Sequence, residues 1–237
     1  MTDISIKTTT RTAGLLYLLI IVAGMFSVLF VRDRLIIAGD PAATAHQIIG
    51  HGSLWRAGIA SDLVMHLCDI PVMLIIYVLL RPVSRRIALL ALLFNVVQTA
   101  VLAANKLNLV AALLPLSGGA YLKTVDPQIL YTLSYLAIRL HDIGFGVGLL
   151  FFGMTLLANG YLIRKSGYLP KVIGTLLQIA GGCYLISNFT LLLAPQAAAQ
   201  IGLWLMLPCF LAELTFALWL LFKGVNEAEW KLKEATL

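Results

Sequence analysis

The stretch Ile138–Gly146, IRLHDIGFG, puts an arginine, a histidine and an aspartate within four positions of an otherwise apolar segment. Arg139 and Asp142 have the spacing of a helical ion pair, and His141 can carry a proton or ligate a metal. Similar residues stand in other apolar segments: Asp62, His66 and Asp69 in one, Lys106 between Asn105 and Asn108 in a second, and Glu213 in a third. At about 100° per residue, positions 62, 66 and 69 fall within roughly 60° of one another, a stripe of two acids and an imidazole. Tyr135, Arg139, Asp142 and Gly146 share a face of their own, while His141 points towards the side of Ser134 and Gly148.

Three chemistries suit this set. The charges can form a structural ion-pair network that fixes helix register. They can bind or pass a small polar ligand, an ion or a proton, the default reading of ionisable residues within a membrane. Or His66, His141, Asp62 and Asp69 can ligate zinc or another divalent metal, whose bound water would be a hydrolytic nucleophile; two histidines can also clasp a haem iron. Catalysis therefore stays open, but no HExxH, serine–histidine motif, phosphate loop or dinucleotide fingerprint is legible.

The elements that hold these residues must be membrane helices. Of 237 residues 60% are hydrophobic and 12% charged, against about a quarter charged in soluble domains. Mean hydropathy is +0.94. Apolar runs predict an all-α polytopic membrane bundle, a single domain over 1–237, with spans at 12–31, 56–80, 87–114, 131–163, 169–194 and 201–222. The net charge of +6 comes from small clusters at the ends of these runs, which argues for the bilayer as partner and against nucleic acid. The three cysteines, Cys68, Cys183 and Cys209, lie in the spans without a CxxC spacing and read as small hydrophobes.

Lys7, Arg11, Arg81, Arg85, Arg86, Arg164, Lys165, Lys171, Lys223, Lys231 and Lys233 outnumber Arg32, Arg34, Arg56 and Lys123 on the opposite side. The positive-inside rule then makes both termini cytoplasmic, and an apolar run of about 19 residues without a small-x-small cleavage site reads as an uncleaved first span. This orientation brings Asp62, His66, Asp69, Lys106, Arg139, His141 and Asp142 to one outer level, with Glu213 nearer the middle, and predicts a polar cavity open to the outer face. GDPAATAHQIIGHGSLWR reads as a short helix with Asp40 as N-cap, Pro41 at its first position and Gly50 as its stop. Trp55 reads as an interfacial anchor. Gly144 and Gly148 have the spacing that lets helices approach closely.

The runs RTAGLLYLLIIVAG, LWRAGIASDL and HDIGFGVGLLFFGMTLLANGYLIRKSGYLPKVIGTLLQIAGGCYLI resemble a family of bacterial multi-pass membrane proteins catalogued as domain of unknown function 4386. The resemblance covers nearly the whole chain and is densest over 141–186. It implies a bacterial inner-membrane protein and marks Arg56, Asp62, His141 and Asp142 as motif positions without assigned roles. Six short-looped spans are few for a transporter, so a homo-oligomer is an expected route to a complete path.

Overall fold

A computed structural model describes residues 5–235. The first helix, α1 (Ile6–Met25), continues through a π-helical segment, Phe26–Arg32, and a last turn, α2 (Asp33–Leu35), as one run of 30 residues. After it come α3 (Pro41–Gly50), α4 (Gly52–Leu80), α5 (Arg85–Ala111), α6 (Pro127–Ser166), α7 (Lys171–Leu193), α8 (Pro195–Phe222) and α9 (Glu227–Glu234). No strand occurs among the described residues, and six helices are long and apolar enough to cross a membrane. Lipid cannot satisfy backbone N–H and C=O groups, so apolar segments close their own hydrogen bonds as helices. Pro71 and Pro208 lie inside α4 and α8 without ending them.

The chain divides into two compact units. One holds residues 20–66 and 101–145; the other holds the remainder. In the 20–66/101–145 unit, Val31, Leu35, Ile48, Trp55, Ile59, Leu109, Ala112 and Ile138 form the core. The short helix takes its expected place: the Asp40 carboxylate accepts the Ala43 N–H at 2.9 Å and Pro41 opens the first turn. Ile48 carries α3 into the core. Trp55 is no interfacial anchor. It is 1% exposed and donates its indole N–H to the Leu109 carbonyl at 3.0 Å. That carbonyl lies in the last turn of α5, where carbonyls lack partners within the helix, and a buried indole needs an acceptor.

In the remaining unit, α6 and α7 meet backbone to backbone. A Cβ added at Gly160 would lie 2.5 Å from the Gly174 carbonyl oxygen, and one at Gly181 would lie 2.7 Å from the Gly153 oxygen. Only glycine permits such an approach, and dispersion then works along the whole seam. The end of α4 is fastened by two donors on one carbonyl: Tyr168 Oη at 2.6 Å and Trp230 Nε1 at 3.1 Å from the Leu79 oxygen. Trp230 comes from α9, which Asn226 caps by accepting the Glu229 N–H. Burial beside Leu79, and secondarily the Glu234 carboxylate, push the Tyr168 hydroxyl above its ordinary pKa of 10.0.

A candidate polar site around Asp62

Ser27 and Arg32 stand five residues apart. In an α-helix that spacing separates side chains by about 140°. In a π-helix, whose hydrogen bonds reach five residues back, it returns them to one face. The Asp33 N–H donates to the Val28 carbonyl in this longer pattern, and Arg32 Nη1 donates to Ser27 Oγ at 2.6 Å. The same nitrogen donates to Asp62 Oδ2 at 2.7 Å. The apolar pattern ends the first span at residue 31 and puts Arg32 in the following loop; the helix instead runs on to Leu35 and turns this guanidinium inwards.

Lys106, from α5, donates to the same Asp62 oxygen at 2.9 Å. Asp62 and Lys106 are 1% and 2% exposed, Arg32 12%. With Lys106 charged, two cations face one carboxylate, and the buried trio holds one positive charge in excess. Lys106 Nζ also lies 3.3 Å from His141 Nε2 and 5.3 Å from the centre of the Phe145 ring. Lone pair and ring face are both favourable surroundings for an ammonium.

Asn105, one residue earlier, fixes α6 against α5. Its amide donates to the His141 carbonyl at 2.8 Å, and its own oxygen accepts from Asn108 at 2.8 Å. Gly144 makes the space: a Cβ there would lie 2.3 Å from Asn105 Oδ1. The glycine within IRLHDIGFG thus seats the amide that holds the histidine.

His141 borders a cleft of about 560 Å³ lined by Val28, Arg32, Asp33, Ile36, Ala38, Asp142 and Phe145. His141 Nδ1 and Asp62 Oδ1 are buried and accept or donate no hydrogen bond among the described residues. The nearest acid to Nδ1 is Asp142, with Oδ1 at 3.6 Å, beyond hydrogen-bond length. Arg139 pairs with Asp142 at 3.0 Å on an exposed face. His66 is buried, and its Nε2 makes no hydrogen bond among the described residues.

The residues singled out from sequence do not all meet. Asp62, His66, Lys106, Arg139, His141 and Asp142 belong to the 20–66/101–145 unit, whereas Asp69 and Glu213 belong to the other. There Asp69 Oδ2 accepts from Asn95 at 3.1 Å and from Thr99. Glu213 accepts from Tyr17 at 3.1 Å and Tyr184 at 2.6 Å. The proposed metal set His66, His141, Asp62 and Asp69 is not assembled: no three His, Cys, Asp or Glu side chains among the described residues are grouped to hold a metal ion. The physical reason is competition, because Asp62 already carries two cations and Asp69 two neutral donors.

No curated protein and no solved structure matches this chain. The profile of the family described as Domain of unknown function (DUF4386) matches residues 12–224, and the chain belongs to that family.

Proposed function

We propose that this integral membrane protein works through the Arg32–Asp62–Lys106–His141 cluster, which exchanges a proton with a small polar ligand or water in the adjoining cleft. The observation that carries the reading is the continuous line of groups from Asp62 through Lys106 to His141, a residue that lines the cleft and whose buried Nδ1 has no hydrogen bond among the described residues. An ammonium at Lys106 donates to a lone pair on His141 Nε2, and this puts the ring proton on Nδ1. Transfer of a proton from Lys106 to Nε2, with release of the Nδ1 proton to the cleft, leaves the ring neutral with its proton on Nε2. The buried trio is then neutral as well. Both states are close to charge balance, as a low-dielectric setting demands.

Under this reading the cleft faces the non-cytoplasmic side of a cytoplasmic membrane, with both termini cytoplasmic. The test is histidine-selective ¹⁵N NMR of detergent-solubilised protein. His141, assigned by its loss in His141→Gln, should hold its proton on Nδ1 at neutral pH, and its response to pH should change in Lys106→Met. An identical titration in both backgrounds would sink the relay.

A second reading is favoured by the full burial of Asp62 between two cations: the trio fastens three helical segments and exchanges nothing. It predicts that Lys106→Met alters stability and leaves the His141 tautomer as it was.

A further inference from the structure

We infer that the unit containing Asp69 holds a monovalent cation of sodium size between α4, α5 and α6. A cavity of about 30 Å³ is lined there by Tyr17, Asp69, Asn95, Thr155 and Asn159 among apolar neighbours. That volume admits one or two water-sized occupants. Asn95 Nδ2 and Thr99 Oγ1 both donate to Asp69 Oδ2, and Oδ1 has no hydrogen-bond partner among the described residues. Asn159 is 7% exposed, lines the same cavity and makes no side-chain hydrogen bond there. An amide that lines a cavity without a protein partner finds one in whatever occupies the cavity.

The chemistry of the lining names the class of occupant. Asp69, the amide oxygens of Asn95 and Asn159 and the hydroxyls of Tyr17 and Thr155 are hard oxygen donors, suited to alkali or alkaline-earth cations. Among the described lining residues Asp69 is the one that carries a charge, and none is basic. A half-buried carboxylate among apolar side chains and without a counter-charge is unfavourable, and a single positive charge balances it. Asn95 is the pivot of the site: its amide N–H₂ orients Asp69, which leaves its oxygen for the ion. Glu213, which does not line the cavity, is held apart by two tyrosine hydroxyls.

The test compares thermal unfolding of the detergent-solubilised protein in sodium, potassium and choline chlorides at equal ionic strength. The midpoint should rise with the logarithm of sodium concentration once that exceeds the dissociation constant. Choline should have no such effect, and potassium a weaker one. Asp69→Asn should fold and lose the sodium dependence. Asn159→Leu, which keeps the carboxylate, should require about tenfold or more sodium for the same rise. It decides the question if Asp69→Asn does not fold. Equal midpoints in all three salts would overturn the proposal, as would a midpoint that responds to acid alone, the mark of a neutral Asp69. A response to potassium as strong as to sodium would overturn the size assignment.

Discussion

Lys106 Nζ touches Asp62 Oδ2 at 2.9 Å and His141 Nε2 at 3.3 Å, so one ammonium joins the most buried acid of its unit to the imidazole at the cleft. Everything near it is arranged by shape. Gly144 lets Asn105 reach the His141 carbonyl, and the π-helical segment turns Arg32 towards the same acid.

Asp62→Asn should destabilise the protein by about 3–5 kcal/mol, because it leaves Arg32 and Lys106 buried without a counter-charge. Asp62→Leu combined with Lys106→Met should cost less than the sum of the two single changes. A double-mutant cycle by reversible unfolding measures this. Strict additivity would mean the two side chains do not interact.

Arg139→Ala should change stability by no more than about 1 kcal/mol. Its pair with Asp142 is solvent-facing, with the side chains 57% and 41% exposed. A loss as large as that of Asp62→Asn would place Arg139 within the buried network.

Gly160→Ala should be worse than its size suggests. The added Cβ would meet the Gly174 carbonyl oxygen at 2.5 Å, and backbone cannot turn aside as a side chain can. Overpacking of this kind costs about 1–3 kcal/mol. Gly182→Ala, where nothing stands within 4 Å, is the matched control in the same thermal-unfolding assay.

Alkaline pH should weaken the fold through Tyr168. Its hydroxyl ionises in the unfolded chain near 10.0 but only at higher pH when buried against Leu79. Above that value the folded state keeps a proton the unfolded state has lost, so stability falls as pH rises. Tyr168→Phe should flatten this alkaline decline while lowering stability at neutral pH, where the bond to Leu79 is intact. An unchanged slope would exclude the group.

Cysteine labelling tests the proposed orientation. In a background free of native cysteines, Gln200→Cys should react with an impermeant reagent added outside and Ser84→Cys should not. The reverse pattern would invert the protein in the membrane and move the cleft to the cytoplasmic side.

Much of the scaffold is legible from composition. Spans follow from apolar length, and α3 from Asp40 and Pro41, which together cap and start a helix whatever lies around it. The Arg139–Asp142 pair follows from spacing alone. Arg32 escapes such reading because a basic residue after an apolar run is what a membrane boundary looks like. Its inward turn depends on a hydrogen-bond register that residue types do not reveal. Trp55 misleads for the same reason, since an indole near a span end suits an interface as well as a core. Asp69 shares a helical face with Asp62, but seven residues of rise amount to about 10 Å. Periodicity identifies the face and says nothing of which partners wait at each level.

The π-helical segment has a genetic counterpart. Winding five residues into the turn that ordinarily takes about four is equivalent to carrying one extra codon in an α-helical frame. Removing one residue between Ser27 and Arg32 would restore ordinary winding and leave the two four apart, about 40° from one another on an α-helix. Their shared face would survive, whereas ordinary winding at the present length would turn serine and arginine about 140° apart. For this stretch, segment length is therefore as much an inherited property as residue identity, and related chains should be compared first by the number of residues between Met25 and Asp33.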